Sequence, residues 1–171
     1  MTSTTPASRK GSAVLTLPND TDIRVVRRFA APAAAVWRVF TEPELIAWWW
    51  AGQHGTVTSV EIDPRPGGAY RYVMEADGGF EVAFHGEFTE VVPTERLVHT
   101  EVFEGMPDGD AAATLNTYTF VEEDGATTLT LVTRAPSREV RDAIVESGME
   151  GGLQEGFDLV DELAAGLAAA S

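Results

Sequence analysis

From residue 56 to residue 134 apolar and polar residues alternate in short stretches. Each stretch ends at residues that accept positive φ or preset a turn: Pro64-Arg-Pro-Gly-Gly68, Asp77-Gly-Gly79, Pro93-Thr-Glu95, Gly105-Met-Pro-Asp-Gly109 and Asp124-Gly125. A period of two sends successive side chains to opposite faces of an extended chain, so the pattern predicts strands over 56–63, 69–76, 80–92, 96–104, 113–123 and 126–134. The connections are shorter than the dozen or so residues a parallel return requires, so neighbouring strands run antiparallel, as a meander.

Upstream, Val14-Leu-Thr-Leu17 alternates, Pro18-Asn-Asp20 offers a turn, and 23–29 is rich in β-branched and aromatic side chains, which predicts two more strands. Pro32 suits a first helical turn, and Val36, Trp37, Val39 and Phe40 follow at near-helical spacing, so a short helix is expected over 32–41. Thr41 and Pro43 resemble a second cap and first-turn proline, with a second short helix over 44–50 stopped by Gly52. At the other end, Pro136 and Ser137 open a long helical stretch in which Leu153, Phe157, Val160, Ala164 and Leu167 form one apolar stripe. Gly148, Gly151, Gly152 and Gly156 interrupt it, each costing about 1 kcal/mol of helix propensity relative to alanine. Either the helix kinks there, or the missing side chains let it approach the sheet closely or leave space beside it.

The chain of 171 residues is the size of one domain with one core, taken as 14–171, with the polar residues 1–13 as a loose tail. It has no cysteine, hence no disulfide or thiolate metal site, and the cytoplasm is the expected compartment. A net charge of −15 disfavours nucleic acid and anionic membranes, and no apolar run approaches the roughly 20 residues of a membrane span.

Three histidines, His54, His85 and His99, are present, and none is spaced with a second ligand as a metal site would need. His85 and Glu87 share a strand face and form the best general acid/base pair in the sequence, although a solvated or hydrogen-bonded pair on the outer face is the favoured reading. There is no nucleophile elbow, catalytic triad or phosphate loop, so neither a cofactor nor a metal is expected. Parity alone does not select the face that lines an interior. The aromatic sets Tyr70, Tyr72 and Met74; Phe84, Gly86 and Phe88; and Asn116, Tyr118 and Phe120 are candidates, as are Val98, Thr100 and Val102. Apolar walls with a few polar groups such as Tyr72, Asn116 and Tyr118 suit a small-molecule pocket, and equally a packed core.

Three of the four tryptophans are consecutive, in Ala47-Trp-Trp-Trp-Ala-Gly-Gln-His-Gly55. Successive helical residues turn by about 100°, so the triplet spans about 200° of helix surface and cannot all enter one core. Leu45 with Trp49 and Ile46 with Trp50 lie four apart and are assigned mostly to packing, which makes Trp48 the candidate for a cavity mouth or a partner contact, although structural packing of the whole triplet is the more ordinary reading.

Several segments occur in an order that resembles one family: Arg27-Arg-Phe-Ala-Ala-Pro32, Val36-Trp37, Thr41-Glu-Pro-Glu-Leu45 leading to Trp49-Trp50, Pro66-Gly-Gly68, Asp77-Gly78, Gly86 with Glu90-Val91, Pro93-Thr-Glu-Arg-Leu97, and Gly148-Met149 with Gly152. The likeness, from residue 14 to about 168, is to the domain found at the C-terminus of activators of the heat-shock-protein ATPase and in stand-alone bacterial proteins, within the START-like (SRPBCC) superfamily. It implies an α+β helix-grip: a curved antiparallel β-sheet of six to seven strands around a long C-terminal helix, with two short helices after the first strand. The sequence departs from the family pattern at Ala51-Gly52, where Gly-Pro is usual, at Trp48, usually polar, and at Leu153, often aromatic. The resemblance further implies a hydrophobic cavity between sheet and helix, and with it non-catalytic binding of a small hydrophobic or amphipathic molecule. Its ligand-facing candidates are the aromatic-set residues above with Trp48, Met149, Gly152, Leu153 and Phe157. An aromatic-cyclase-like enzyme and a chaperone-ATPase-activating interaction domain are the alternatives it leaves open.

Overall fold

In the computed structural model, which describes residues 11–52, 54–105 and 109–170, eight antiparallel strands form one sheet. They are β1 (Val14–Thr16), β2 (Asp22–Phe29), β3 (Gly55–Ile62), β4 (Ala69–Ala76), β5 (Glu81–Val92), β6 (Arg96–Phe103), β7 (Thr114–Glu123) and β8 (Ala126–Arg134), in the spatial order β1-β2-β8-β7-β6-β5-β4-β3. The expected helix-grip is present, with the three-residue β1 taking the strand count to eight and placing the helices after β2. The meander β3 to β8 holds as expected; residues 106–108 of one predicted turn, and most of the predicted tail, lie outside the described residues.

The strands β2 and β3 lie far apart in the sheet, and the helices α1 (Ala33–Thr41) and α2 (Pro43–Trp49) carry the chain between them. The N-terminus of α1 has no cap from its own neighbour Pro32; Glu122 of β7 accepts from the Ala33 amide at 2.8 Å, placing negative charge at the positive end of the helix. Thr41, expected as the second cap, instead ends α1, its hydroxyl bonded back to the Trp37 carbonyl at 2.8 Å, and Glu42 occupies the cap position before Pro43. The hydroxyl is within reach of the preceding turn, and that local bond wins over the cap.

The C-terminal stretch is two helices, α3 (Arg138–Glu146), capped by the Ser137 side chain at the Val140 amide, and the 22-residue α4 (Met149–Ala170). Gly148, at φ 86°, makes the break. Gly151 and Gly152 face solvent with no neighbouring atom where a Cβ would stand, whereas at Gly156 a Cβ would lie 3.4 Å from the Trp49 ring. The expected glycine-lined wall therefore reduces to one residue: Gly148 ends a helix, Gly156 lets α2 sit close on α4, and the other two are bare solvent positions.

The core lies where α1 and α4 cover β2, β7 and β8. Phe29, Val36, Val39, Leu129, Phe157 and Val160 are fully or nearly fully buried, with Phe157 edge-on to both Phe29 and Phe40. Arg27 is 0% exposed on the same face of β2 as Val25 and Phe29. It meets Asp158 at 2.8 Å and Asp161 at 3.5 Å, and lies over the Phe29 ring. That clamp fastens α4 to β2, and it is supplemented by the Gln154 side chain, which bonds both backbone groups of Ala13.

Candidate functional site

The other half of the concave face is built by β4 to β7. Its inward side chains are set by register: Tyr70 and Tyr72 of β4 stand opposite Gly86 and Phe84 of β5, Phe88 opposite His99 of β6, and His99 and Leu97 opposite Asn116 and Tyr118 of β7. The aromatic sets on β4, β5 and β7 thus share one face. On β6 the alternative parity holds, and Leu97, His99 and Glu101 point inward rather than Val98, Thr100 and Val102. Sequence reasoning missed His99 and Glu101 because the apolar parity of Arg-Leu-Val-His-Thr-Glu-Val is the valine set. The signal was in the neighbours: only the histidine parity continues a face that β7 fills with Tyr118 and Phe120.

The rings form a continuous wall. Tyr70 lies 4.9 Å from Tyr72, 5.6 Å from Phe88 and 4.8 Å from His99, and His99 stacks on Tyr118 at 5.5 Å. Trp50 closes one end, edge-on at 5.6 Å to both Tyr72 and Phe84. Trp49 is held by a bond from its indole nitrogen to the Val39 carbonyl at 3.0 Å and packs on Phe40, while Trp48 is 73% exposed. The triplet divides as expected, except that Trp50 joins the wall as well as the packing.

Gly86 makes the wall possible. A Cβ there would fall 1.9 Å from the Thr100 carbonyl oxygen and 2.7 Å from the Tyr70 ring, so only glycine admits that approach. The β5–β6 ladder is interrupted between His85↔Val102 and Phe88↔His99, and the Glu87 amide bonds the Thr100 hydroxyl instead. The Thr100 carbonyl is used by side chains: Tyr70 donates its hydroxyl to it at 3.0 Å, and His99 Nδ1 lies 2.9 Å from it. Because a carbonyl only accepts, His99 carries its proton on Nδ1, leaving Nε2 as an acceptor.

Burial pushes the His99 imidazole down to about 4, against the smaller opposing effect of the Thr100 bond, so the ring is neutral at pH 7. Burial likewise lifts the Glu101 carboxyl to about 7, partly offset by the hydroxyl of Tyr70 at 3.3 Å. The Tyr70, Tyr72 and Tyr118 hydroxyls are pushed above their usual range by burial first; Glu101 comes second for Tyr70 and Tyr118, and third for Tyr72, after Tyr118. Yet Tyr72, Tyr118 and Glu101 all retain some accessible surface. Among the described residues the hydroxyls of Tyr72 and Tyr118 make no hydrogen bond, and neither oxygen is sealed from open space.

The remaining sequence candidates are placed as follows. Asn116 is buried, donating to the Thr114 hydroxyl at 3.3 Å and accepting from Thr133 at 2.6 Å. Phe120 and Phe157 belong to the packed core under α1, whereas Met74, Met149 and Leu153 are half-buried and Gly152 is exposed. His85 does not pair with Glu87: its Nδ1 lies 2.8 Å from Glu104, which also takes a two-pronged bond from Arg71 at 2.9 Å. Those three groups stand on the face opposite Tyr70 and Tyr72 and away from the wall. A separate surface groove of about 570 Å³ runs past Thr21, Leu115, Arg134 and Pro136 and includes none of the wall residues. Among the described residues no three His, Asp or Glu side chains are grouped to hold a metal ion, and no helix is long and apolar enough to cross a membrane.

Solved structures of the same shape include a protein of Rhodobacter sphaeroides, 25% identical with a TM-score of 0.83 over 90% of this chain and 98% of its own. A protein of Mycobacterium smegmatis is 27% identical, with a TM-score of 0.79 over 88% and 96% of the two chains. One of Chromobacterium violaceum is 28% identical, with a TM-score of 0.74 over 85% and 98%. No curated protein matches the chain. The family model described as Activator of Hsp90 ATPase homolog 1-like protein matches residues 30–165, from the end of β2 through β8 and into the last turns of α4, and the chain belongs to that family.

Proposed function

We propose that the protein binds a small hydrophobic or amphipathic molecule, without chemistry, between the β4–β7 wall and α4. One observation carries the reading. Tyr72, Tyr118 and Glu101 lie deep enough for burial to shift their proton affinities strongly, yet each keeps accessible surface and unused hydrogen-bonding capacity. Groups that are deep in a protein and still touch open space are the lining of a hollow, and unbonded polar atoms in an aromatic wall are what orient a ligand. In this reading the half-buried Met149 and Leu153 of α4, which pack against the core, are the helix side of the space.

Titration with a neutral, environment-sensitive naphthalene ketone tests this, followed by dye emission and by quenching of Trp50. Saturable binding at one site per chain is expected, and Leu153→Trp, which fills the space from α4, abolishes it while the circular dichroism spectrum stays native. Absence of saturable binding, or binding untouched by the filling substitution, refutes the proposal.

A further inference from the structure

The charges on the wall restrict what such a ligand can be. Among the described residues the wall holds one carboxyl group, Glu101, and no cation. Arg27, the buried guanidinium of the concave face, is occupied by Asp158 and Asp161 on the far side of the fold, and Arg71 is bound to Glu104 on the outer face. His99, next along β6, is neutral. Glu101 receives one hydrogen bond, from Tyr70 to Oε1, and among the described residues its Oε2 has no partner.

A carboxylate removed from water without a counter-ion is costly, and so is the company it keeps. Tyr70 touches it through its hydroxyl, Tyr72 and Tyr118 lie close enough to feel its charge, Phe88 and Trp50 continue the same wall, and aromatic faces carry negative potential. Such faces repel an anion and attract a cation. A wall of rings beside a carboxyl group that keeps one oxygen without a partner among the described residues has the composition of an ammonium-binding site. The net charge of −15 acts in the same direction at long range.

We propose that the site selects a ligand bearing a protonated amine on an aromatic or other apolar body, with the Glu101 carboxylate as its counter-ion and the tyrosine rings around the ammonium group. The inference rests on the binding reading above, and it excludes fatty acids and other anionic amphiphiles as the preferred occupants.

Calorimetric titration at about pH 8, above the point to which burial lifts Glu101, tests it with three probes of one shape: naphthylmethylamine, naphthylmethanol and naphthoate. The amine is expected to bind at least about tenfold more tightly than naphthoate, and more tightly than the alcohol. Glu101→Gln is expected to remove the amine's advantage, bringing its affinity to the level of the alcohol measured on the same variant. If the alcohol or naphthoate binds the native protein as well as the amine does, or if the amine keeps its advantage in Glu101→Gln, the inference falls and the binding reading stands. If none of the three binds, both fall. Should Glu101→Gln not fold, the comparison of probes on the native protein decides the matter alone.

Discussion

Replacing Gly86 with alanine tests the geometry of the wall directly. The added Cβ would stand 1.9 Å from the Thr100 carbonyl oxygen, against an ordinary contact of at least 3.4 Å, so β5 and β6 must separate locally by about 1.5 Å. Neither side yields cheaply, because the obstacle is backbone and the second contact, at 2.7 Å, is the buried ring of Tyr70. Overpacking of this kind costs about 1–3 kcal/mol, and moving the carbonyl also loosens the Tyr70 and His99 bonds to it, at about 1 kcal/mol each. Against this, alanine gains about 0.5–1 kcal/mol over glycine in a strand. The net expectation is a loss of about 2–4 kcal/mol, which for a domain of this size lowers the thermal midpoint by about 5–12 °C. Scanning calorimetry measures it. An unchanged or raised midpoint would show that β6 does not approach Gly86 as described, and the placement of His99 and Glu101 would fall with it.

Gly152→Ala is expected to behave oppositely, stabilising α4 by about 1 kcal/mol in urea unfolding, because the new methyl group meets open space; a destabilisation would mean that this position is covered. Arg27→Ala is expected to cost about 2–4 kcal/mol, toward the lower end for a buried ion pair because Asp158 and Asp161 keep about a fifth of their surface; a loss under about 1 kcal/mol would remove the clamp from the account. Glu104 and Glu101 are expected to give pH dependences of opposite sign. The Arg71 bond, with His85, holds Glu104 down to about 2, so its contribution is present above about pH 4.5 and is lost as pH falls toward 2. Burial raises Glu101 to about 7, so its contribution is complete below about pH 4.5 and is lost as pH rises through 7. Urea midpoints across pH for Glu104→Gln and Glu101→Gln check both, and equal flattening of the acid limb by the two substitutions would contradict the assignment.

The strand order was legible because each turn announces itself chemically. Asp124 and Gly125 both adopt positive φ, as a two-residue hairpin demands, and Gly67, Gly78 and Gly79 do the same elsewhere. Trp48 was legible too, since helix geometry leaves one member of the triplet outside. The inward parity of β6 was not: strand periodicity is symmetric between faces, and the residues that broke the symmetry, His99 and Glu101, are polar groups stabilised by contacts with other strands. Arg27 was hidden for the same reason, a cation on an apolar parity whose partners lie on α4, more than a hundred residues away. The glycines of the C-terminal stretch show the converse error. Composition signalled that they matter, yet only the backbone at Gly148 and the tryptophan beside Gly156 distinguish a break and a close approach from two bare surface positions.

The distribution of polar ties to α4 is compatible with the proposed hollow beside a hydrophobic core. From α4, Gln154, Asp158 and Asp161 bond Ala13, Gly11, Arg27 and Ala30, all on the β1–β2 side. Toward the β3 side stands an exposed pair, His54 and Glu155 at 2.9 Å, which water competes with. A helix pinned along one flank does not have to collapse onto the other. The spacing there is set by Trp49 resting on Gly156 and by Trp50 propped against Tyr72 and Phe84, rigid rings that resist compression. Folding energy is thus concentrated where Phe29, Phe157 and Arg27 meet. The wall around Glu101 can then keep an open carboxyl group and two unbonded hydroxyls, an arrangement that costs stability and that a bound ammonium group would relieve.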